Sequence, residues 1–150
     1  MPVKNILQYL EDNFKQAEEA ANHLAVSLER CKDFIENTDY SEEQLIELEA
    51  LTGRFARLSD LLIQKIFKTI DSLDASAPGT VRDRIMQAEK KGLIKNAGVL
   101  LEIRDVRNMI AHEYASDNTN EIIVFVFRHS FFLIETLQNA KQYSTKFYTD

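Results

Sequence analysis

Apolar residues recur every three or four positions through Ile6, Leu10, Phe14, Ala17, Ala21, Leu24, Leu28, Cys31 and Ile35. That spacing stacks side chains along one stripe of an α-helix and predicts a first helix of about eight turns. Asn37-Thr38-Asp39-Tyr40 interrupts the pattern, and Ser41 stands three residues before Gln44 in the arrangement of a capping box. A second helix starts there, with a stripe of Leu45, Leu48, Leu51, Phe55, Leu58, Leu62, Ile66 and Ile70 that ends near Leu73. The small, polar stretch from Asp74 to Gly79 follows as a loop.

Thr80 can cap a short third helix with Val81, Ile85 and Ala88 inward, and Gly92 suits its C-terminal cap. A fourth helix is predicted from about Ala97 to Glu113, with Leu100, Ile103, Val106, Ile110 and Ala111 apolar. Asn118 with Glu121 three residues later marks a fifth start. The β-branched and aromatic content of Ile122 to Ile134 would also suit a strand, but no second strand candidate exists to pair with it, so helix is preferred. This helix is apolar on two rows, Ile122, Val126 and Leu133 on one and Val124, Phe127, Phe131 and Ile134 on another. It is therefore either central in the bundle or part of a subunit interface. The fold class is all-α, an up-and-down bundle of about five helices.

Composition narrows the function classes. With 150 residues, only four Gly and two Pro, the chain suits one domain of long helices. The net charge of −6 excludes the general basic field of a protein that coats nucleic acid. Residues 1–51 carry twelve acidic and four basic side chains, whereas residues 52–150 carry twelve and fourteen, so an anion-handling site is expected in the second part. Cys31 is the sole cysteine, which rules out an intrachain disulfide and a Cys-based zinc site and fits a reducing cytoplasm. Its position on the first stripe favours a buried, inert thiol. The segment Met1-Pro2-Val3-Lys4-Asn5 leads into an amphipathic pattern without the apolar run of a signal peptide, and the longest apolar run, Ile122 to Phe127, is far short of a bilayer span. A cytoplasmic protein without membrane contact is expected.

Two clusters could carry chemistry. Arg54 and Arg57 lie beside core positions of the second helix, and Arg104 and Arg107 repeat the three-residue spacing on the fourth. An arginine near a core needs a carboxylate or phosphate partner, and Glu102, Asp105, Asp60 and Glu135 are candidates. The block from Arg104 to Tyr114 places Asn108 and His112 four residues apart on one helical face, with Arg107 and Tyr114 seven apart on an adjoining one. An imidazole moves protons near neutral pH and a guanidinium holds non-bridging phosphate oxygens, so these are parts for phosphodiester chemistry. A lone histidine at a helix C-terminus is more often a dipole-stabilising or core-edge residue than a catalyst. His23 lies four residues from Glu19, but His23, His112 and His129 are far apart and no Glu-x-x-His pair occurs, so no metal site is expected. His129 reads as a hydrogen-bonded interface residue. No Gly-rich phosphate loop is present, and no cofactor is expected.

Arg107-x4-His112-x-Tyr114 resembles the Arg-x4-His-x-Tyr motif of HEPN domains, in particular the HepT-type toxins and the related nucleotidyltransferase substrate-binding proteins. Arg54-Phe55, Leu61-Leu62-Ile63 and Lys91-Gly92-Leu93-Ile94 follow the family's order, so the resemblance covers roughly residues 5–145. It implies a single HEPN-like domain over 1–150 that forms a homodimer, or a higher even oligomer, with two motifs facing a cleft. It further implies a metal-independent endoribonuclease of a bacterial or archaeal toxin–antitoxin pair. In that role Arg107 would hold the scissile phosphate of the RNA substrate, His112 would transfer protons and Asn108 would position one of these groups. Tyr114 matches the tyrosine that a minimal nucleotidyltransferase antitoxin modifies with AMP. Arg104 lies outside the motif, and a second phosphate contact and an ion pair to Glu102 or Asp105 account for it equally. The alternative within the same family is a non-catalytic substrate- or nucleotide-binding subunit of a two-component nucleotidyltransferase, and a purely structural helical adaptor is a third reading.

Overall fold

The computed structural model describes residues 3–111 and 119–149, and every regular element among them is helical. The helices are α1 (Val3–Cys31), α2 (residues 42–73), α3 (Val81–Lys90), α4 (Ala97–Ala111) and α5 (Thr119–Ser144), followed by a 3₁₀ turn at Thr145–Tyr148. The all-α bundle read from the periodicity is the observed architecture, and 122–134 is helix throughout. No helix among the described residues is long and apolar enough to cross a membrane.

The helix ends follow local chemistry. Ser41 Oγ accepts from the Gln44 amide while the Gln44 side chain accepts from the Ser41 amide, closing the expected capping box. Thr80 caps α3 in the same reciprocal way with Asp83. Gly79 is required beside it, because a Cβ at that position would lie 2.6 Å from Asp83 Oδ2. Gly92 ends α3 at φ +80°, where the Leu93 amide donates to Ala88 O and the Gly92 amide to Glu89 O, a Schellman motif.

α1 and α2 pair antiparallel: Cys31 Sγ lies 3.6 Å from Glu47 O, and Arg54 Nη1 reaches Ser27 Oγ (2.7 Å) and His23 O (3.1 Å). α5 also runs opposite to α1, with Arg128 bonded to Glu36 at one end and Tyr148 Oη donating to Leu7 O at the other. Leu10, Leu24, Leu51, Phe55, Leu58, Leu62, Phe67 and Leu100 are essentially inaccessible at the centre. Each such side chain contributes about 1.5–3 kcal/mol relative to exposure.

Two expectations need correction. The first helix stops at Cys31, and Ile35 is buried from the turn that follows rather than from helix. Leu45 belongs by its spacing to the buried stripe but is 39 % exposed; the last turn of α1 lies level with Glu47, past the first turn of α2. The two rows of α5 also differ: Ile122, Val126 and Leu133 are buried, whereas Val124, Phe127 and Ile134 are half-exposed and Phe131 is exposed. Cys31 is fully buried, and burial, with the Glu47 carboxylate nearby, pushes its thiol up to about 11.

α2 is not a uniform α-helix. Glu42–Asp60 is α-helical, Leu61–Ile66 is a π-helix and Phe67–Leu73 is α-helical again. The Phe67 amide pairs five residues back with Leu62 O. Return from this pairing to the ordinary one leaves a carbonyl without a helical donor, and Arg84 Nη1 from α3 donates to Ile63 O at 3.1 Å.

The C-terminal ends of α2, α3 and α5 meet in a polar lock. Lys91 Nζ lies 2.5 Å from Asp71 Oδ1 and 3.1 Å from Asp74 Oδ2, Lys146 Nζ lies 3.0 Å from Asp74 Oδ1, and Tyr143 Oη donates to Asp74. Burial alone would raise the Asp74 pKa, but hydrogen bonds from Tyr143, Lys146 and Lys91 outweigh it and hold the carboxyl below its ordinary value. Its stabilising effect is therefore present above the unfolded value of about 3.9 and lost as pH falls through the lower folded one. Asp74→Asn, which resembles the protonated carboxyl, is expected to cost about 2 kcal/mol in urea denaturation at pH 7. That gap should narrow as pH falls below about 4, whereas a constant gap from neutral to acid pH would contradict the lock.

Candidate functional site: a cationic groove along α2

The groove forms where the outer face of α2 passes between Gln16 of α1 and the last turns of α4. It has a volume of about 800 Å³, and its polar lining includes Arg57, Asp60, Gln64, Lys65, Arg107 and Asn108. Gly53 and Ala56 line it with little bulk, which leaves it open. The π segment begins directly after Asp60 and contributes Gln64 and Lys65.

Arg107 and Asp60 join the two walls. Arg107 Nε donates to Asp60 Oδ1 at 2.8 Å and Nη2 to Oδ2 at 2.7 Å, a bidentate pair across 47 residues. The side chains are 28 % and 42 % exposed, so the pair sits at the groove wall and not in the core. Hydrogen bonding to Asp60, against the opposing effect of partial burial, raises the Arg107 pKa further above its ordinary range. Among the described residues, Asp60 is the one of the four candidate carboxylates engaged by an arginine. Glu135 pairs instead with Lys95 at 3.4 Å.

The four arginines read together as two spaced pairs separate in space. Arg57 and Arg107 line the groove. Arg54 is turned to α1, where it satisfies the buried Ser27 hydroxyl. Arg104, proposed as a second phosphate contact, is half-buried and outside the groove lining. The expected alternative, an ion pair of Arg104 with Glu102 or Asp105, is not formed among the described residues. Residues one and two apart on a helix do not face each other. Asn108 lies beside Arg107 in the lining and is exposed. His112 and Tyr114 lie outside the described residues.

His129 Nδ1 is 2.9 Å from Phe125 O and its ring stacks on Phe125 at 3.9 Å, so the expected hydrogen bond is present. His23 is exposed on α1, and among the described residues no group of three or more His, Cys, Asp or Glu is placed to hold a metal.

Sequence reasoning did not single out Gln64, Lys65 or the π segment. Their signal is the spacing Leu58, Leu62, Ile66, Ile70, three successive steps of four. Such steps drift around an ideal 3.6-residue helix unless a wider turn absorbs the excess. No protein-family model and no curated protein matches the chain.

The bidentate geometry is expected to give a measurable coupling. In a double-mutant cycle of Asp60→Ala and Arg107→Ala followed by urea denaturation, the interaction energy should be about 1 kcal/mol, that of a well-aligned but solvent-accessible pair. A value indistinguishable from zero would mean that the pair does not hold the groove walls together.

Proposed function

We propose that the protein is a HEPN-type endoribonuclease toxin that acts as a homodimer and is neutralised when a minimal nucleotidyltransferase antitoxin adds AMP to Tyr114. The observation that carries this reading is that Arg107 and Asn108, from the Arg-x4-His-x-Tyr block, line a groove together with Arg57 and Lys65. Asp60 engages the Nε–Nη2 edge of Arg107 and so sets the plane of the guanidinium. The Nη1 group is then the edge available to a phosphate, and the fork geometry of arginine suits it to that contact.

In this mechanism His112 accepts the proton of the RNA 2′-hydroxyl. The 2′-oxygen bonds to phosphorus, the bond to the 5′-oxygen breaks, and a proton passes to the departing oxygen. The products are a 2′,3′-cyclic phosphate and a 5′-hydroxyl end. Arg107 stabilises the added charge on the non-bridging oxygens, and Asn108 positions the phosphate or the imidazole. AMP on Tyr114 would bring a phosphate into the same region and repel the substrate. The half-exposed row of Val124, Phe127 and Ile134 on α5 supports a second copy as the covering partner.

The second reading, a non-catalytic substrate- or nucleotide-binding subunit, is favoured by the same ion pair. A guanidinium already committed to Asp60 is suited to static recognition of an anion as well as to catalysis. In chelator-containing buffer the unmodified protein should cleave RNA, and His112→Ala and Arg107→Ala should each lower the rate by at least about 100-fold. Undiminished cleavage by both variants would overturn the ribonuclease reading. Absence of cleavage by the parent, with nucleotide binding lost in Arg107→Ala, would establish the binding subunit.

A further inference from the structure

A second groove, of about 650 Å³, runs between the end of α2, the loop after it and α3, and its lining includes Lys68, Arg84 and Lys90. Arg84 connects it to the first groove. It lines the second while its Nη1 donates to Gln64 Oε1 at 3.3 Å, and Gln64 lines the first.

Charge is balanced unusually along this path. Two of the three lining carboxylates are paired with cations, Asp60 with Arg107 and Asp71 with Lys91, while Asp83 accepts from the Thr80 amide and keeps its charge. By contrast, Arg57, Lys65, Lys68, Arg84 and Lys90 form no ion pair among the described residues. Among the described residues, five cations without an ion pair therefore follow one concave path against one unpaired carboxylate, Asp83, on a chain whose net charge is −6. Along α2 alone, Arg57 to Lys68 covers about 16 Å, enough for several phosphates of one strand. Among the described residues no aromatic side chain lines either groove, so the contacts these residues supply are to phosphate.

We propose that the two grooves form one track for the backbone of single-stranded RNA, leading the strand past Lys90, Lys68 and Lys65 to Arg107. The inference rests on the ribonuclease reading of the first groove and adds how a longer substrate is held. A flexible single strand fits two grooves joined at a side-chain bridge, and binding through phosphates gives little base preference.

The test measures binding on an uncleavable strand, and cleavage of unmodified RNA by the parent is assayed separately. A fluorescein-labelled 2′-O-methyl RNA of roughly 12 nucleotides, within the range such tracks hold, is titrated with the full chain across a salt series. The exposed double substitution Lys68→Gln/Lys90→Gln should weaken binding by about 5- to 20-fold at low salt and flatten the log–log salt slope by about 1.4, or 0.7 per lost phosphate contact. Lys95→Gln, at an exposed lysine paired with Glu135, should leave both unchanged. Far-UV circular dichroism checks that each variant stays helical. Unchanged affinity and slope in the double variant, or no binding by the parent, would overturn the track. Cleavage of RNA by the parent together with an unchanged slope would sink the track alone. Loss of binding in the double variant of a parent that cleaves no RNA would support the track and sink the ribonuclease reading.

Discussion

The change of hydrogen-bond register in α2 at Leu61 is the constraint from which the site geometry follows. Before it, Leu48, Leu51, Phe55 and Leu58 are buried; after it, Leu62, Ile66 and Ile70 are still buried although they are spaced by fours. On a regular α-helix each such step would turn the stripe by about 40°. The wider turn keeps the stripe inward, and Arg84 supplies a donor to the Ile63 carbonyl within it. Asp60 stands at the start of this turn and Lys65 within it, so the irregularity that preserves the core also shapes the groove.

The Arg107–Asp60 pair then fixes α4 to that point. Its energy is modest because both side chains remain accessible. Its larger consequence is directional: two parallel N–H···O bonds set the plane of the guanidinium, which a single contact would not. An acidic chain can in this way present a local cationic path. Its carboxylates in the grooves are tied to internal partners, while most of the remaining negative charge lies in the first third of the sequence. Binding of an anion here would be local and strongly dependent on salt.

The helices and their caps were legible in the sequence because they depend on near neighbours. Ser41 with Gln44, Thr80 and Gly92 each act over a few residues, and the apolar stripe of α1 needs only its own period. Leu45 was misplaced because periodicity records which face a residue shares, not whether a neighbour extends far enough to cover it. The site was legible in part. Arg107 and Asn108 reach the groove, but the choice of Asp60 as partner depends on tertiary geometry across 47 residues. Arg54 and Arg57 have the same composition and helix as their context, yet one is turned to Ser27 and the other to the groove. The π turn was hidden because spacings of three and four both pass as helical.

The claim at the centre of this account is that the groove edge of Arg107 receives a phosphodiester. The most direct measurement is a ¹⁵N NMR titration of the protein with a 2′-O-methyl dinucleotide, following side-chain Nε–H signals of the arginines and the Asn108 amide. The account predicts that Arg107 Nε and Asn108 shift together and saturate while the Nε signal of Arg54, whose guanidinium is held to α1 through Nη1, stays still. Unmoved Arg107 and Asn108 signals at ligand concentrations that perturb other residues would contradict it.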